Sequence, residues 1–426
     1  MWVLATKSLD AMIPYGRQHI AADDIESVVR ALDSDFLTTG PLVDEFEMAL
    51  ARKIGVDHGV ACSNGTAALY LASSALLASC RDTPVAIVPT MTFTATAGAP
   101  AMAGARVVFA DVDPSTGLMT AENLEEAVAY AAQIGTPKLV LPVHLNGQVA
   151  PMKAICDIAR RHGMVVVEDA CHALGGTYGI GDGEGNGMVG DCTFSDASCF
   201  SFHPVKTVTM GEGGAVCMAD SELARHVKRL RSHGLTRESA DFTSSQSALD
   251  GQGRPEPWHY EIQDLSLNFR VPDILCALGL SQLNKLDTFV ARRRSLFEHY
   301  ARRLAPYADL VRPIERVPGQ DPSWHLMVVH IDFASLGIAR GALVRALRDE
   351  GICTQVHYIP LHRQPLWQAQ AKGRRFDGGE RYFARSLSLP LFYDMAEDQV
   401  DRVVDTLVRI VSATARSNTQ SVRRTS

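Results

Sequence analysis

The sequence lacks the features of a nucleic-acid-binding protein and of a disulfide-stabilised protein. Lysine and arginine (41) are outnumbered by aspartate and glutamate (48), so the net charge of −7 excludes an overall basic footprint. Short basic runs such as Arg292–Arg294 are typical of solvated surface. The nine cysteines are scattered and form no C-x-x-C pair. We therefore expect small apolar thiols in a reducing cytoplasm rather than a disulfide framework.

Metal-binding and membrane-spanning patterns are missing as well. The 14 histidines include no H-E-x-x-H motif and no Cys/His ligand spacing, so no metal site is predicted. Met1–Asp10 lacks the pattern of basic residues followed by a long apolar run that is typical of a secretory leader. The internally uncharged stretches Asp57–Arg81 and Asp82–Arg106 carry turn residues or prolines that are costly in lipid. We therefore expect a cytoplasmic protein with no membrane association.

The first two-thirds of the chain alternates short apolar runs with amphipathic helical patterns. Strands that are buried on both faces and separated by helices predict a mostly parallel sheet flanked by helices, an α/β fold. The runs that read as strands are Gly59–Cys62, Val85–Val88, Val107–Ala110, Leu139–Val143 and Val165–Val167.

The pattern of the sequence changes near residue 270. A long helical pattern is followed by two predicted strands, Leu326–Ile331 and Thr354–Tyr358, which indicate a smaller α+β domain. We expect a large domain over residues 12–268 and a small domain over residues 269–412. The Ser/Thr/Arg-rich segment 413–426 is expected to be a disordered tail.

Two short segments have the composition of ligand-binding turns. Asn64-Gly65-Thr66 lies between a strand and a helix, where glycine and the helix dipole favour an anion such as phosphate, although many strand–helix turns look alike. Asp169 follows the buried strand Val165–Val167, and ligands of open α/β sheets bind at that end of a strand. Its carboxylate would pair with a cofactor cation or cap the next segment. His172, three residues on, is a site residue or an ordinary turn histidine.

Lys206 is a candidate nucleophile. It follows an apolar strand and precedes the glycine-rich turn Gly211–Gly214. A partly desolvated lysine loses its proton more easily, as an amine nucleophile must, whereas the alternative is a side chain that reaches solvent. Ser201, at the end of the same strand, would donate to a phosphate. Gly185–Gly190 matches G-x-G-x-x-G but precedes a strand, which excludes a dinucleotide fingerprint.

Taken together, the motifs resemble the DegT/StrS family of nucleotide-sugar aminotransferases, which are fold type I enzymes dependent on pyridoxal 5'-phosphate (PLP). The resemblance covers about residues 12–410, and the order and spacing of the motifs agree with the family. The motifs are Ile13–Gln18, Phe36–Pro41, Ser63–Leu69, Glu168–Gly175, Ser201–Lys206, Gly211–Gly214, Arg231–Gly234 and Leu267–Arg270.

The resemblance implies a role for each matching residue. Lys206 would bond to the cofactor aldehyde and move the proton, Asp169 would pair with the pyridinium nitrogen, and His172 would lie beside the ring and its hydroxyl. Asn268 would reach the phosphate of the neighbouring subunit, so a homodimer with shared active sites is expected. The implied cofactor-binding residues are Gly65, Thr66, Phe93, Asp169, His172, Ser201, Lys206 and Asn268. The implied substrate-binding residues are Tyr15, Asp35, Phe36, Leu37, Thr38, His357 and Tyr358.

One branch of the family is most similar. The sequence around His172, Lys206 and Arg231 resembles that of aminotransferases of the pseudaminic-acid pathway. That branch implies transfer from L-glutamate to C4 of a UDP-linked 4-keto-6-deoxy-N-acetyl-hexose, giving UDP-4-amino-4,6-dideoxy-N-acetyl-β-L-altrosamine. Two alternatives stay open, a dTDP- or GDP-linked keto sugar and a non-catalytic PLP-binding regulator. The regulator would be expected to lose Lys206 or Asp169, and both are present.

Overall fold

The computed structural model describes residues 12–180, 185–244 and 248–425. The strands, in chain order, are β1 His58–Cys62, β2 Pro84–Pro89, β3 Arg106–Ala110, β4 Thr136–Val140, β5 Val165–Asp169, β6 Thr177–Gly179, β7 Asn186–Met188, β8 Ala197–Ser201, β9 Gly214–Met218, β10 Leu235–Thr236, β11 Glu261–Ile262, β12 Arg312–Pro313, β13 Gln320–Asp321, β14 Met327–His330 and β15 Ser386–Leu389.

The helices carry the connections between these strands and close the chain. They are α1 Ala22–Leu32, α2 Pro41–Ile54, α3 Gly65–Leu77, α4 Thr94–Met102, α5 Ala121–Ala131, α6 Met152–Arg161, α7 Ser221–Arg231, α8 Asp273–Leu283, α9 Leu286–Leu304, α10 Arg340–Asp349, α11 Gln368–Ala371, α12 Asp377–Arg385 and α13 Glu397–Thr425. Among the helices of the described ranges, none is both long and apolar enough to cross a bilayer.

A seven-stranded sheet forms the centre of the molecule, in the order β1-β9-β8-β5-β4-β2-β3. All neighbouring pairs are parallel except those made by β9, which is antiparallel to both β1 and β8. Alternate side chains of a strand face opposite sides of a sheet. Val85 and Ile87 therefore pack into the core with α5 and α6, whereas Ala86 and Val88 pack into the core with α3 and α4. The predicted α/β fold is confirmed, and β1, β2, β3 and β5 match four of the predicted strands. The fifth prediction, Leu139–Val143, overlaps β4 only at Leu139 and Val140, because β4 begins earlier, at Thr136, and ends at Val140.

The second core lies around a three-stranded antiparallel sheet, β12-β14-β15, covered by α9 and α13. Trp324 stacks on Phe297 with ring centroids 3.7 Å apart, and both rings are buried. The predicted strand Thr354–Tyr358 does not form, and only a bridge between Gln355 and Ser388 is made. The chain then leaves the sheet edge and carries His357 and Tyr358 toward the centre of the molecule.

Helix α13 extends to Thr425, and residues 412–425 contain no proline or glycine to end it. The disordered tail over residues 413–426 stays a prediction. One expectation from the sequence differs from the structure. Arg293 is only 2% exposed, although Arg292–Arg294 was assigned to the surface. Positions three and four apart share one helix face, and Arg293 shares that of the buried residues Phe289 and Phe297. The division of the chain at residues 268 and 269 stays a prediction.

Candidate active site

The site lies at the carboxyl edge of the central sheet. Strand β5 ends at Asp169, β8 ends at Ser201 and the turn after β1 opens helix α3 at Gly65. Because β1, β5 and β8 run in the same direction, these three ends meet at one edge, as ligand sites of open α/β sheets do. The fold therefore brings together three segments that are far apart in the sequence.

Strand β5 ends in two carboxylates, and alternation along the strand sends them to opposite faces. Glu168 Oε2 lies 2.7 Å from Nε2 of the fully buried His144, and Glu168 Oε1 accepts from Ser195 at 2.5 Å. The Ala150 N–H donates to His144 Nδ1, so Nε2 carries the proton that is donated to Glu168. Both oxygens of the Glu168 carboxylate are thus hydrogen-bonded within the core. Asp169 is therefore the carboxylate of this strand that can bind a ligand at the site.

Asp169 is buried, and two donors hold its carboxylate. Thr96 donates its hydroxyl to Oδ2 at 2.7 Å, and Thr92 lies 2.7 Å from the Thr96 hydroxyl oxygen. The Cys171 N–H donates to Oδ1 at 3.2 Å. Hydrogen bonds of this kind fix the orientation of the carboxylate. Neither Thr92 nor Thr96 was predicted as a site residue, although two threonines four residues apart after a buried strand are a usable signal in the sequence.

Lys206 lies in the loop between β8 and β9, where its N–H donates to the His203 carbonyl at 2.8 Å. Its side chain is half-buried. Burial lowers the pKa of Lys206, because a low-dielectric surrounding disfavours the ammonium, while nearby Cys171 and Asp169 act in the opposite direction and more weakly. The net lowering favours the neutral amine that a nucleophile needs.

A cradle for an anion lies at the start of α3. Asn64 caps the helix by accepting from the Ala67 N–H at 2.8 Å. A Cβ on Gly65 would lie 2.7 Å from Ser201 Cβ and 3.3 Å from Cys171 Sγ, so only glycine leaves this space open. The first N–H groups of a helix have no acceptor within it and carry partial positive charge. Thr66, the next residue, is exposed.

Three buried histidines surround the amine. His172 Nε2 lies 3.3 Å from the Tyr358 hydroxyl, and the His172 ring packs against that of His325 with centroids 4.3 Å apart. Nδ1 of both rings is buried without a hydrogen-bond partner among the described residues. His357 Nδ1 lies 2.8 Å from the Ser388 hydroxyl. No sequence signal pointed to His325, because it precedes a strand of the second core.

Burial and the charge of Lys206 lower the pKa of all three histidines, that of His357 to about 4. Between pH 6.5 and about 4 the folded state therefore binds fewer protons than the unfolded state, so stability falls as the pH falls. For His357 alone the loss is on the order of 3 kcal/mol. About 2 kcal/mol of it is lost between pH 7 and pH 5, and thermal unfolding of the cofactor-free protein at these two pH values would measure that part. His357→Asn should reduce the difference in bound protons between the unfolded and folded states by about one. Equal unfolding temperatures at both pH values would contradict the expectation.

The opening of the site is lined by aromatic rings. Tyr358 faces Phe93 at a centroid distance of 5.8 Å, and Tyr15 faces His357 at 5.8 Å. Phe93 is 54% exposed and lines a cleft together with residues of the segment 355–367. Five of the residues expected at the site therefore lie close together within one chain. They are Lys206, His172, Tyr358, His357 and Phe93.

Other expected site residues lie apart from this cluster. Residues 35–38 are exposed, and their segment is anchored on α8, where the Asp273 N–H donates to the Leu37 carbonyl at 3.1 Å. Asn268 is exposed and accepts from the Arg270 N–H at 3.1 Å. The carbonyl of its neighbour Phe269 accepts from the Ser63 N–H at 2.8 Å, which ties this segment to the turn before α3. Within one chain, no contact among the described residues joins residues 35–38 or Asn268 to Lys206.

The residues fit the cofactor that the resemblance implies. PLP has a cationic ring nitrogen, an aldehyde, a ring hydroxyl and a phosphate. The structure supplies a buried carboxylate at Asp169, an amine of lowered pKa at Lys206, an unpartnered imidazole nitrogen at His172 and the space at Gly65. No group of three or more potential metal ligands occurs among the described residues.

Comparisons with known proteins agree with this geometry. The model of the DegT/DnrJ/EryC1/StrS aminotransferase family matches residues 18–408. The spore coat polysaccharide biosynthesis protein SpsC of Bacillus subtilis is 35% identical over 402 residues, which cover 94% of this chain and 97% of SpsC.

Two solved structures are similar over nearly the whole chain. Helicobacter pylori PseC, an aminotransferase involved in the biosynthesis of pseudoaminic acid, matches with a TM-score of 0.83 at 25% identity, over 94% of this chain and 100% of PseC. Spr1654 from Streptococcus pneumoniae, in its pyridoxamine-phosphate form, matches with a TM-score of 0.82 at 25% identity, over 96% and 100%. Spr1654 has also been solved in a PLP form.

Proposed function

Because the chain belongs to the DegT/DnrJ/EryC1/StrS aminotransferase family, we propose that it moves an amino group from L-glutamate to C4 of a UDP-linked 4-keto-6-deoxy-N-acetyl-hexose. The coarser part is established by the family and its relatives: the chain is a PLP-dependent sugar aminotransferase with a glutamate-type amino donor. The nucleotide, the carbon and the sugar are the proposal, and the proposed product is UDP-4-amino-4,6-dideoxy-N-acetyl-β-L-altrosamine. The cytoplasmic location stays a prediction.

The observation that supports catalysis is that the half-buried Lys206 lies near enough to the buried Asp169 for the carboxylate to act on the pKa of the amine. When bound, PLP supplies an electron-withdrawing ring that stabilises a carbanion at the reacting carbon. We propose that Lys206 Nζ, with its pKa lowered by burial, removes the proton from the α-carbon of the donor. In the second half of the reaction the same Nζ returns a proton to C4 of the sugar.

Asp169 and His172 would act as catalytic residues at the two polar ends of the ring. The Asp169 carboxylate, held by Thr96, would stabilise positive charge at the ring nitrogen. His172 is held neutral by burial, and its free Nδ1 would bind the ring hydroxyl. Phe93 would stack on the face of the ring.

Phosphate binding would combine two subunits. Gly65, Thr66 and Ser201 surround the space at the start of α3 and would hold the phosphate of the cofactor. Asn268 is exposed, makes an isolated bridge with Ser232 and, in our proposal, reaches the phosphate of a partner protomer. A homodimer with shared active sites would follow. The exposed segment 35–38 would then complete the nucleotide-sugar site with Tyr15, His357 and Tyr358.

An isotope experiment with the purified protein and added PLP tests the substrate. With ¹⁵N-labelled L-glutamate and a UDP-4-keto-6-deoxy-N-acetyl-hexose, we expect the label at C4 of the sugar. The visible band of the bound cofactor should fall with glutamate and return when the sugar is added. If a dTDP- or GDP-linked keto sugar were labelled instead, the proposed reaction class would stand and the proposed nucleotide would be wrong. A cofactor band that ignores glutamate would contradict the proposed donor.

A further inference from the structure

The hydroxyl of Tyr358 has one hydrogen-bond partner among the described residues, and that partner is His172. The hydroxyl oxygen lies 3.3 Å from His172 Nε2, while the Tyr358 backbone N–H donates to Met91 Sδ at 3.4 Å. Burial raises the pKa of Tyr358, so the phenol keeps its proton at neutral pH. A protonated phenol donates one hydrogen bond, and His172 Nε2 is the acceptor within reach.

The neutral ring of His172 has two tautomers, and they differ in how many buried groups lack a partner. If Nε2 accepts from Tyr358, the ring proton is on Nδ1, and the Nδ1–H is the one unpaired group. If Nε2 carried the proton, the hydroxyl hydrogen of Tyr358 and the Nδ1 lone pair would both be unpaired among the described residues. Each buried polar group without a partner costs free energy. The Nδ1–H tautomer is therefore favoured.

A second imidazole near this strand end shows the same device with the opposite result. At His144 the Ala150 N–H donates to Nδ1, which places the proton on Nε2, opposite the Glu168 carboxylate. At His172 the proton is on Nδ1, and no acceptor of the described residues faces it. The His325 ring lies at a centroid distance of 4.3 Å, but its own Nδ1 is unpaired as well. The acceptor for the His172 proton must therefore come from a molecule that enters the site.

The ring hydroxyl of PLP is the acceptor that the proposed function supplies. Once its proton is lost, this oxygen accepts hydrogen bonds and donates none, so it needs a donor opposite. The Nδ1–H tautomer of His172 presents a donor, whereas the Nε2–H tautomer would present a lone pair and repel the oxygen. Which ring nitrogen carries the proton thus decides whether His172 can bind the cofactor there.

We propose that Tyr358 is a positioning residue that fixes His172 in the Nδ1–H tautomer, the form that binds the ring hydroxyl of the cofactor. This deepens the proposed function and rests on the role of His172 given there. The ring of Tyr358 lines the opening of the site, and its hydroxyl acts through the imidazole. Because the bridge between Gln355 and Ser388 anchors the preceding chain on the second core, that core sets the position of a proton beside the cofactor.

Nuclear magnetic resonance of the cofactor-free full chain, labelled with ¹⁵N at histidine, tests the inference without turnover. Protonated and unprotonated ring nitrogens of histidine have well-separated ¹⁵N shifts, and the signals that are missing from His172→Gln identify this residue. We expect the Nδ1–H tautomer to be the main form in the parent. In Tyr358→Phe its ratio to the Nε2–H tautomer should fall about 5- to 10-fold, as when one neutral hydrogen bond is lost.

Tyr393→Phe is the matched control for loss of a hydroxyl. Tyr393 also packs against an imidazole, that of His19 at a centroid distance of 4.6 Å, and no hydrogen bond among the described contacts joins it to His172. The tautomer ratio of His172 should be the same in this variant as in the parent.

The visible spectrum of added PLP gives a second measurement. Tyr358→Phe should shift the band of the bound cofactor when the parent chain is compared with the variant. The same change in a His172→Leu background should cause no further shift, because a hydroxyl that acts through the imidazole has no effect once the imidazole is gone. An equal shift in both backgrounds would contradict the inference and assign Tyr358 a direct contact with the cofactor.

Two results of the resonance experiment would also overturn the inference. One is a parent protein in which His172 carries a proton on Nε2, and the other is an unchanged tautomer ratio in Tyr358→Phe. The first needs no change at Tyr358, so it decides the matter even if that variant does not fold. Neither result bears on the transfer of ¹⁵N from glutamate to the sugar. Absence of that transfer would refute the proposed function, whichever tautomer is found.

Discussion

Lys206→Ala is expected to abolish transamination, with a loss of at least about 10⁴-fold, in a protein that still folds and binds its cofactor. The reason is that Nζ would be both the group bonded to the cofactor and the group that moves the proton. Alanine keeps the loop, because the loop contact made by residue 206 comes from its backbone N–H. Turnover and the absorption spectrum of the bound cofactor are the measurements.

Lys153→Ala provides the control for this variant. Lys153 lies on α6 with an exposed side chain 3.0 Å from Asp157, and it is not part of the site. Its removal should leave turnover unchanged and the unfolding temperature nearly so, since exposed ion pairs contribute little. Turnover of Lys206→Ala within about tenfold of the parent would remove the basis for assigning the amine, because such a small loss is typical of a positioning contact.

The sheet and the strand ends were predictable because strong local signals coincide there. In a parallel sheet both faces are buried, so β2, most of β3 and the first part of β5 are continuous apolar runs in the sequence. The residues directly after such runs must lie at one edge. Asp169 and Ser201 could therefore be assigned to one site before their distance was known.

The residues that sequence reasoning missed reach the site through tertiary packing. Thr96 contacts Asp169 from the next connection along the sheet, and His325 comes from a segment of the second core. Arg293 was assigned to solvent because three consecutive arginines have the composition of a surface. The 100° turn between successive helix positions places only the middle one on the buried face of α9. No local pattern distinguishes that arginine from its neighbours until the helix is docked.

Asp169→Asn is expected to reduce both half-reactions about 10²- to 10³-fold and to weaken cofactor binding about tenfold. Asparagine has nearly the same shape and can still accept from Thr96, so the fold should be kept. What is lost is the negative charge, and only the charged form stabilises a protonated ring nitrogen and so maintains electron withdrawal from the reacting carbon. Rates of both half-reactions and the dissociation constant of PLP are the measurements.

Asp196→Asn is the matched control for that charge. Asp196 precedes β8 and accepts from the Val166 N–H at 2.7 Å at the opposite end of the same strand pair, where it pairs with Arg160. Its loss should lower stability slightly and leave turnover intact. Thr96→Val should reduce turnover less than Asp169→Asn, because it frees the carboxylate without neutralising it. If Asp169→Asn turned over within about threefold of the parent, the carboxylate would be a structural cap of the segment after β5. The electron-withdrawing role would then have to be assigned elsewhere.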